Sequence, residues 1–92
     1  MSAKNLLVLA RRDHAEAMRV AAGLTIVGHA VSLVFMDRPV EHNAENAANA
    51  DLLEIAGIEP VTTVAAMAGD LPLVDADGLA RLVAEANEVL CL

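Results

Sequence analysis

Two short apolar runs, separated by a stretch with helical character, constrain the fold of this chain more than any other feature. They are residues 5–10 (NLLVLA) and residues 30–36 (AVSLVFM), and each contains one polar residue. Strands that are apolar on both faces are typical of a parallel sheet with helices on each side. We therefore expect both runs to form buried β-strands.

The stretch between these runs predicts an amphipathic helix. Asp13, with Glu16 one turn later, is a variant of the capping box, and Gly28 is a typical residue at a helix end. The final turns, residues 24–27, are apolar on nearly all sides. This excess of apolar surface predicts a contact beyond the sheet, such as a second subunit.

The same alternation continues to the end of the chain. Residues 43–57 predict a second helix, and residues 60–64 a third strand at the sheet edge because Pro60 opens it. Residues 75–87 predict a third helix and residues 88–92 a last strand. The side chains expected to face the sheet are Ala44, Ala48, Leu52 and Ile55 in the second helix, and Leu79, Leu82, Val83 and Ala86 in the third. Those expected to face solvent are Glu45, Asn49, Arg81 and Glu85.

Alternating strands and helices predict one α/β domain over residues 1–92. The expected architecture is a three-layer α/β/α sandwich with a four- or five-strand parallel sheet. Right-handed crossovers favour the strand order 3-2-1-4. A ligand crevice is then expected beyond the carboxyl ends of strands 1 and 4, where the order reverses.

The charge balance excludes several classes of partner. The chain has 92 residues and a formal net charge of -7, with 13 acidic residues against 6 Lys and Arg, and its single aromatic residue is Phe35. Without a basic stripe or stacking side chains, nucleic acid is not an expected partner, nor is an anionic membrane. The lone Cys91 cannot form an intrachain disulfide, and no long apolar segment opens the chain, so a cytoplasmic protein is expected.

A cluster of cationic residues is expected at one rim of the sheet. Arg11 and Arg12 follow the first strand and Arg38 the second, so three of the six Lys and Arg residues lie at this rim. Together with the amino end of the first helix and His14, they could bind a small anion. Alternatively, Asp13 and Asp37 pair with the arginines as a solvated rim. The turn lacks the glycines of a dinucleotide fold, so no cofactor is expected.

The remaining reactive residues do not form a recognised catalytic set. His14 is expected on the surface of the first helical turn, and neither it nor His29 and His42 has the spacing of a metal site. His14 with Asp37 could serve acid–base chemistry, but no nucleophile completes such a site. Cys91, between two leucines, is expected to be a buried and inert thiol. Met67 is expected in a packing or contact surface.

The order of segments resembles the DsrE/DsrF/TusD-like family, small α/β proteins of sulfur relay systems. The stretches that carry the resemblance are NLLVLARRDHAEAMRVAAGLTIVGHAVSLVFMDRPV, LLEIAGIEPVTTVAAMA and GLARLVAEANEVLCL. The family implies assembly into trimers or hexamers, including hetero-oligomers with other DsrE-like subunits. Members that carry sulfur as a persulfide have a cysteine at the end of the third strand, a position that corresponds to Thr63 here, within about a residue.

The resemblance therefore implies a subunit without the family's carrier atom, because a threonine hydroxyl can neither ionise near neutral pH nor hold a persulfide. The expected function is a non-catalytic module that oligomerises, or that binds a small anion or sulfur species. The residues expected to bind are Arg11, Arg12, His14, Asp37, Arg38, Thr63 and Met67. The alternative is a sulfurtransferase or sulfur carrier that uses Cys91.

Overall fold

The computed structural model describes residues 4–92 and shows a four-stranded, all-parallel sheet in the predicted order, β3-β2-β1-β4. The strands are β1 (Asn5–Ala10), β2 (Ala30–Phe35), β3 (Val61–Thr62) and β4 (Glu88–Cys91). The helices are α1 (His14–Ile26), α2 (Ala44–Ala56) and α3 (Ala76–Glu85), with a short 3-10 helix at Ala65–Met67. The α/β class and the strand order predicted from the sequence are confirmed.

Each of the three helices is preceded by a residue whose side chain caps a backbone amide of the first turn. Asp13 accepts a hydrogen bond from the Glu16 amide (3.0 Å), Asn43 from Asn46 (2.7 Å) and Asp75 from Gly78 (2.8 Å). Each bond satisfies an amide that has no partner within its own helix. The predicted capping box at α1 is only half formed, because the Glu16 carboxylate pairs with Arg19 instead of returning to the cap.

The sheet is covered by two helices on one face and by one on the other. Right-handed crossovers place α1 and α2 together over the face that holds Val8, Leu33 and Phe35. α3 lies over the opposite face, where Leu82 and Ala86 share a small cavity with Leu7 and Ser32. Five residues of α1 are buried, whereas α3 has none, so the second face is thinly covered.

β3 lies at the sheet edge as predicted, but it is shorter than the predicted residues 60–64. Its outer side is bonded to the chain segment before α3: the Thr62 amide donates to the Pro72 carbonyl (3.0 Å), and the Val74 amide to the Thr62 carbonyl (2.8 Å). The 3-10 helix begins soon afterwards. These bonds protect an edge strand that would otherwise offer free backbone groups.

The sequence-based orientation of α2 is wrong. The buried side chains are Asn49 and Leu53, whereas Leu52 is exposed and Ile55 is 84% exposed; Ala44 and Ala48 are exposed as well. α2 packs mainly against α1, and the Asn49 side chain donates to the Ala15 carbonyl oxygen (3.4 Å). Contact with α1 thus determines which stripe of α2 is buried. Asn49, the polar residue of that stripe, finds its hydrogen-bond partner on α1.

The other two helices agree better with the predicted faces. In α3, Leu79 and Leu82 are partly buried, as is Ala86 directly after it, and Val83 is exposed despite its predicted inward position. In α1, Ile26 is 78% exposed and Val27 is exposed too. The apolar surface expected at the end of α1 is therefore present.

The orientation of α2 can be tested with two truncations. Leu53→Ala should lower the free energy of unfolding by about 2–5 kcal/mol, because it opens a cavity in the core. Ile55→Ala should change it by less than about 0.5 kcal/mol, since this side chain is exposed. Urea unfolding at low protein concentration measures both. A larger loss at Ile55 than at Leu53 would favour the sequence-based orientation.

Candidate binding site

A groove of about 940 Å³ runs along α2 beside the β3 edge of the sheet, and the segment that precedes β3 lines it together with the segment that follows. One wall is α2 and the segment that precedes it, and the other is the segment that follows β3; we call it the α2 groove. Its deepest lining residues are Met18, Phe35, Leu53 and Ile58, all of them buried core residues. Met67 and Leu71 line it from the 3-10 helix side. The volume is in the range of small-molecule sites.

The crevice predicted between strands 1 and 4 is filled by backbone. The Leu92 carbonyl oxygen accepts hydrogen bonds from the amides of Arg11 (2.9 Å), Arg12 (2.7 Å) and Asp13 (3.4 Å). These amides precede the first turn of α1, which begins at His14, so backbone atoms occupy this point of the predicted crevice. The α2 groove lies instead beside β2 and β3, away from the switch point between β1 and β4.

The predicted rim residues do come together. The Arg38 guanidinium donates to the Arg11 carbonyl oxygen (3.3 Å) and to that of Arg12. The Arg11 Nε donates to Asp37 (3.4 Å), as expected for a solvated ion pair. Asp13 caps α1 rather than pairing with an arginine. An anion at this rim would therefore compete with protein acceptors, and the site stays a prediction.

His14 is not the surface residue expected from the sequence. It is 5% exposed, its Nε2–H donates to the Met36 carbonyl oxygen (3.3 Å), and its ring packs edge-to-face on Phe35 with the centroids 5.5 Å apart. The first turn of α1 is pressed onto the end of β2, and this contact encloses the ring. His14 thus helps to hold α1 against the sheet.

The other two histidines lie apart from it. The His29 ring Nδ1 accepts from the Lys4 amide (3.2 Å), and the His29 amide donates to the Leu24 carbonyl oxygen just after α1. His42 is exposed and lines the α2 groove. Within residues 4–92, no three His, Cys, Asp or Glu side chains are grouped so that they could hold a metal ion.

Two adjacent threonines at the end of β3 have different roles. Thr62 is fully buried; its Oγ1 donates to the Phe35 carbonyl (3.0 Å) and accepts from the Val64 amide (2.9 Å). The Met67 sulfur lies 3.7 Å from the same hydroxyl. Thr63 is partly buried, and its amide donates to the Phe35 carbonyl (3.1 Å). The buried hydroxyl therefore belongs to Thr62, one residue before the predicted site position.

Cys91 is exposed, which corrects the expectation of a buried thiol. It pairs in register with Leu9 and lies on the edge strand β4. Because side chains alternate along a strand, Cys91 shares a sheet face with Val89, which is also exposed. α3 covers this face only in part. The apolar sequence around Cys91 therefore gave a wrong prediction of burial.

The sequence did not reveal the α2 groove. Much of its α2 wall consists of small side chains, among them Ala47 and Ala50, which leave space at an exposed helix face. The Ala/Asn bias of residues 45–51 was the available signal. Without the position of the 3-10 helix opposite, that bias could not be distinguished from an ordinary solvated helix.

Comparison with known proteins gives no relative. No family model, no curated protein and no solved structure matches the chain. No helix within residues 4–92 has the length and apolar character needed to cross a membrane. The DsrE-like resemblance is therefore a hypothesis that rests on the order of segments, and function has to be argued from the site.

The role of the Thr62 hydroxyl can be separated from that of its neighbour. Thr62→Val should lower the free energy of unfolding by about 1–3 kcal/mol, because it leaves the Val64 amide without its acceptor. Thr63→Val is the matched control: the structure gives its hydroxyl no partner among residues 4–92, so the change should stay within about 0.5 kcal/mol. Chemical denaturation measures both. Equal losses would show that the buried hydroxyl is not the anchor of β3.

Proposed function

We propose that this chain is a non-catalytic, DsrE-like subunit that acts by binding and assembly. The observation that carries the proposal is the end of β3, where two threonines stand at the position of the family's persulfide cysteine. The buried one is engaged on both sides by the backbone, through the Phe35 carbonyl and the Val64 amide. A hydroxyl used in this way holds the fold, and no thiol lies beside it.

The same position cannot support covalent sulfur transfer. Such transfer needs a thiolate that attacks a sulfane sulfur, and threonine cannot supply one. His14 is enclosed between α1 and β2, with its Nε2–H bonded to a backbone carbonyl, so it is poorly placed to move protons to or from a substrate. Binding thus accounts for the described residues better than turnover does.

Assembly is supported by an apolar surface at the end of α1 and α2. The residues are Ile26, Val27, Leu52 and Ile55, all exposed, and we call them the α1/α2 apolar patch. Both helices follow strands of a parallel sheet and pack against each other, so their last turns lie at the same end of the molecule. Large apolar side chains grouped in this way are typical of protein contacts. Assembly into a trimer or hexamer is what the resemblance implies.

We expect the wild-type chain to sediment as an oligomer, and the double variant Ile26→Arg/Ile55→Arg to sediment as a monomer. Two buried guanidinium groups without partners would oppose association strongly. Ala80→Arg, at an exposed position of α3, is the control and should leave the oligomer intact. Sedimentation velocity over a concentration series measures all three. A wild-type monomer at every concentration would refute assembly through this patch.

A sulfur carrier that uses Cys91 is the second candidate, and the exposure of this thiol favours it. The Cys91 thiolate would attack the terminal sulfur of a donor persulfide, the donor S–S bond would break, and the donor would leave as a thiolate. Cys91 would then hold the persulfide. Leu90 and Leu92 flank this cysteine in the sequence. β4 is an edge strand, so a donor protein could reach the thiol from the side of the sheet.

Intact mass after incubation with a cysteine desulfurase and free cysteine decides between the two candidates. For the non-catalytic subunit we expect no added sulfur, although Cys91 should react with a thiol reagent in the native protein because it is exposed. Cys91→Ser is the control for both readouts. A gain of one sulfur atom in the wild type alone would establish the carrier function.

A further inference from the structure

We infer that the α2 groove binds a small organic cation with an aliphatic body. The groove has the volume of a small-molecule site, about 940 Å³, and it reaches from solvent down to the core side chains Met18 and Leu53. This inference is independent of the proposed assembly, because none of the four residues of the α1/α2 apolar patch lines the groove.

The charge of the lining determines the sign of the ligand. Four carboxylates line the groove, those of Glu41, Glu54, Glu59 and Asp70, and no Lys or Arg is among its lining residues. All four belong to exposed residues. An anion entering here would meet like charge and no cationic partner, whereas an ammonium group would meet opposite charge from both walls. The groove therefore differs in charge from the arginine rim after β1 and β2.

The side chains between these carboxylates determine the body of the ligand. The lining includes the polar residues His42, Asn43 and Asn46, but its large apolar side chains are aliphatic or contain sulfur: Met18, Val40, Leu53, Ile58, Met67 and Leu71. Phe35 is the one aromatic residue, and it is buried against His14, so its ring faces cannot form a cage around a cation. An aliphatic chain fits such walls, since methionine side chains adapt to irregular apolar shapes. The cationic head would then lie at the exposed carboxylates rather than against the core side chains.

The α2 wall has room for this chain because its residues are small. Ala47 and Ala50 line the groove and are exposed, so no large side chain fills the space in front of Leu53. Ala48 lies on the same helix, is equally exposed, and does not line the groove. This pair provides a test in which the same substitution is made inside and outside the site.

The first experiment compares three probes with the same chain and different heads: octyltrimethylammonium, octanol and octanoate. In ¹⁵N–¹H correlation spectra at low salt, the cation should shift amides of the groove residues and bind about fivefold more tightly than octanoate, as expected for several exposed charge pairs. The difference should narrow at high salt. Equal or tighter binding of octanoate, or shifts spread over the acidic surface without the groove residues, would overturn the inference.

The second experiment uses variants to test whether the cation binds in the groove. Ala47→Arg should weaken octyltrimethylammonium binding at least tenfold, because its side chain enters the groove and brings a like charge; Ala48→Arg adds the same charge to the same helix and should leave binding unchanged. Glu54→Gln/Glu59→Gln should weaken it several-fold, and the outward pair Glu45→Gln/Asp51→Asn should not. The spectrum of each variant shows whether it is folded. If substitutions inside and outside the groove weakened binding equally, the cation would be attracted by the acidic protein in general. That result would overturn the inference.

Discussion

The buried hydroxyl of Thr62 is the contact on which the groove side of this molecule depends. It joins the end of β3 to the Phe35 carbonyl of β2 and, through the Val64 amide, sets the direction of the chain that follows. That chain forms the 3-10 helix and the wall of the α2 groove that carries Met67 and Leu71. β3 has only two residues, so few ladder bonds could replace this one. The shape of the groove is therefore coupled to a hydrogen bond beneath it.

Local rules were sufficient to predict most of the framework. β1 is apolar on both faces and lies at the centre of the sheet, and the strand order follows from right-handed crossovers. The cap at Asp13 follows from the same kind of rule. The orientation of α2 does not, because two stripes of this helix are offset by one residue and each contains a leucine, Leu52 in one and Leu53 in the other. The buried stripe contains Asn49, whose partner, the Ala15 carbonyl, lies on another helix.

The errors at His14 and Cys91 have one physical cause, which is that burial depends on what covers a residue. His14 has polar neighbours in sequence, yet the first turn of α1 presses it against Phe35. Cys91 has leucine neighbours, yet it lies on an edge strand whose outer face α3 covers only in part. A helix that buries none of its own residues cannot bury a neighbouring strand completely. What covers a residue is decided by the tertiary structure. The burial of these two side chains could therefore not be predicted from their neighbours in the sequence.

The charge of the α2 groove can be compared with what a persulfide carrier requires. A persulfide carrier needs a thiolate, and nearby carboxylates disfavour that charged form, whereas Lys, Arg or the amino end of a helix favours it. The α2 groove is lined by four carboxylates and by no Lys or Arg. An anionic sulfur species in this groove would therefore meet like charge and no Lys or Arg. The charge of the groove thus argues for a cationic ligand, and the DsrE-like resemblance stays a hypothesis that rests on the order of segments.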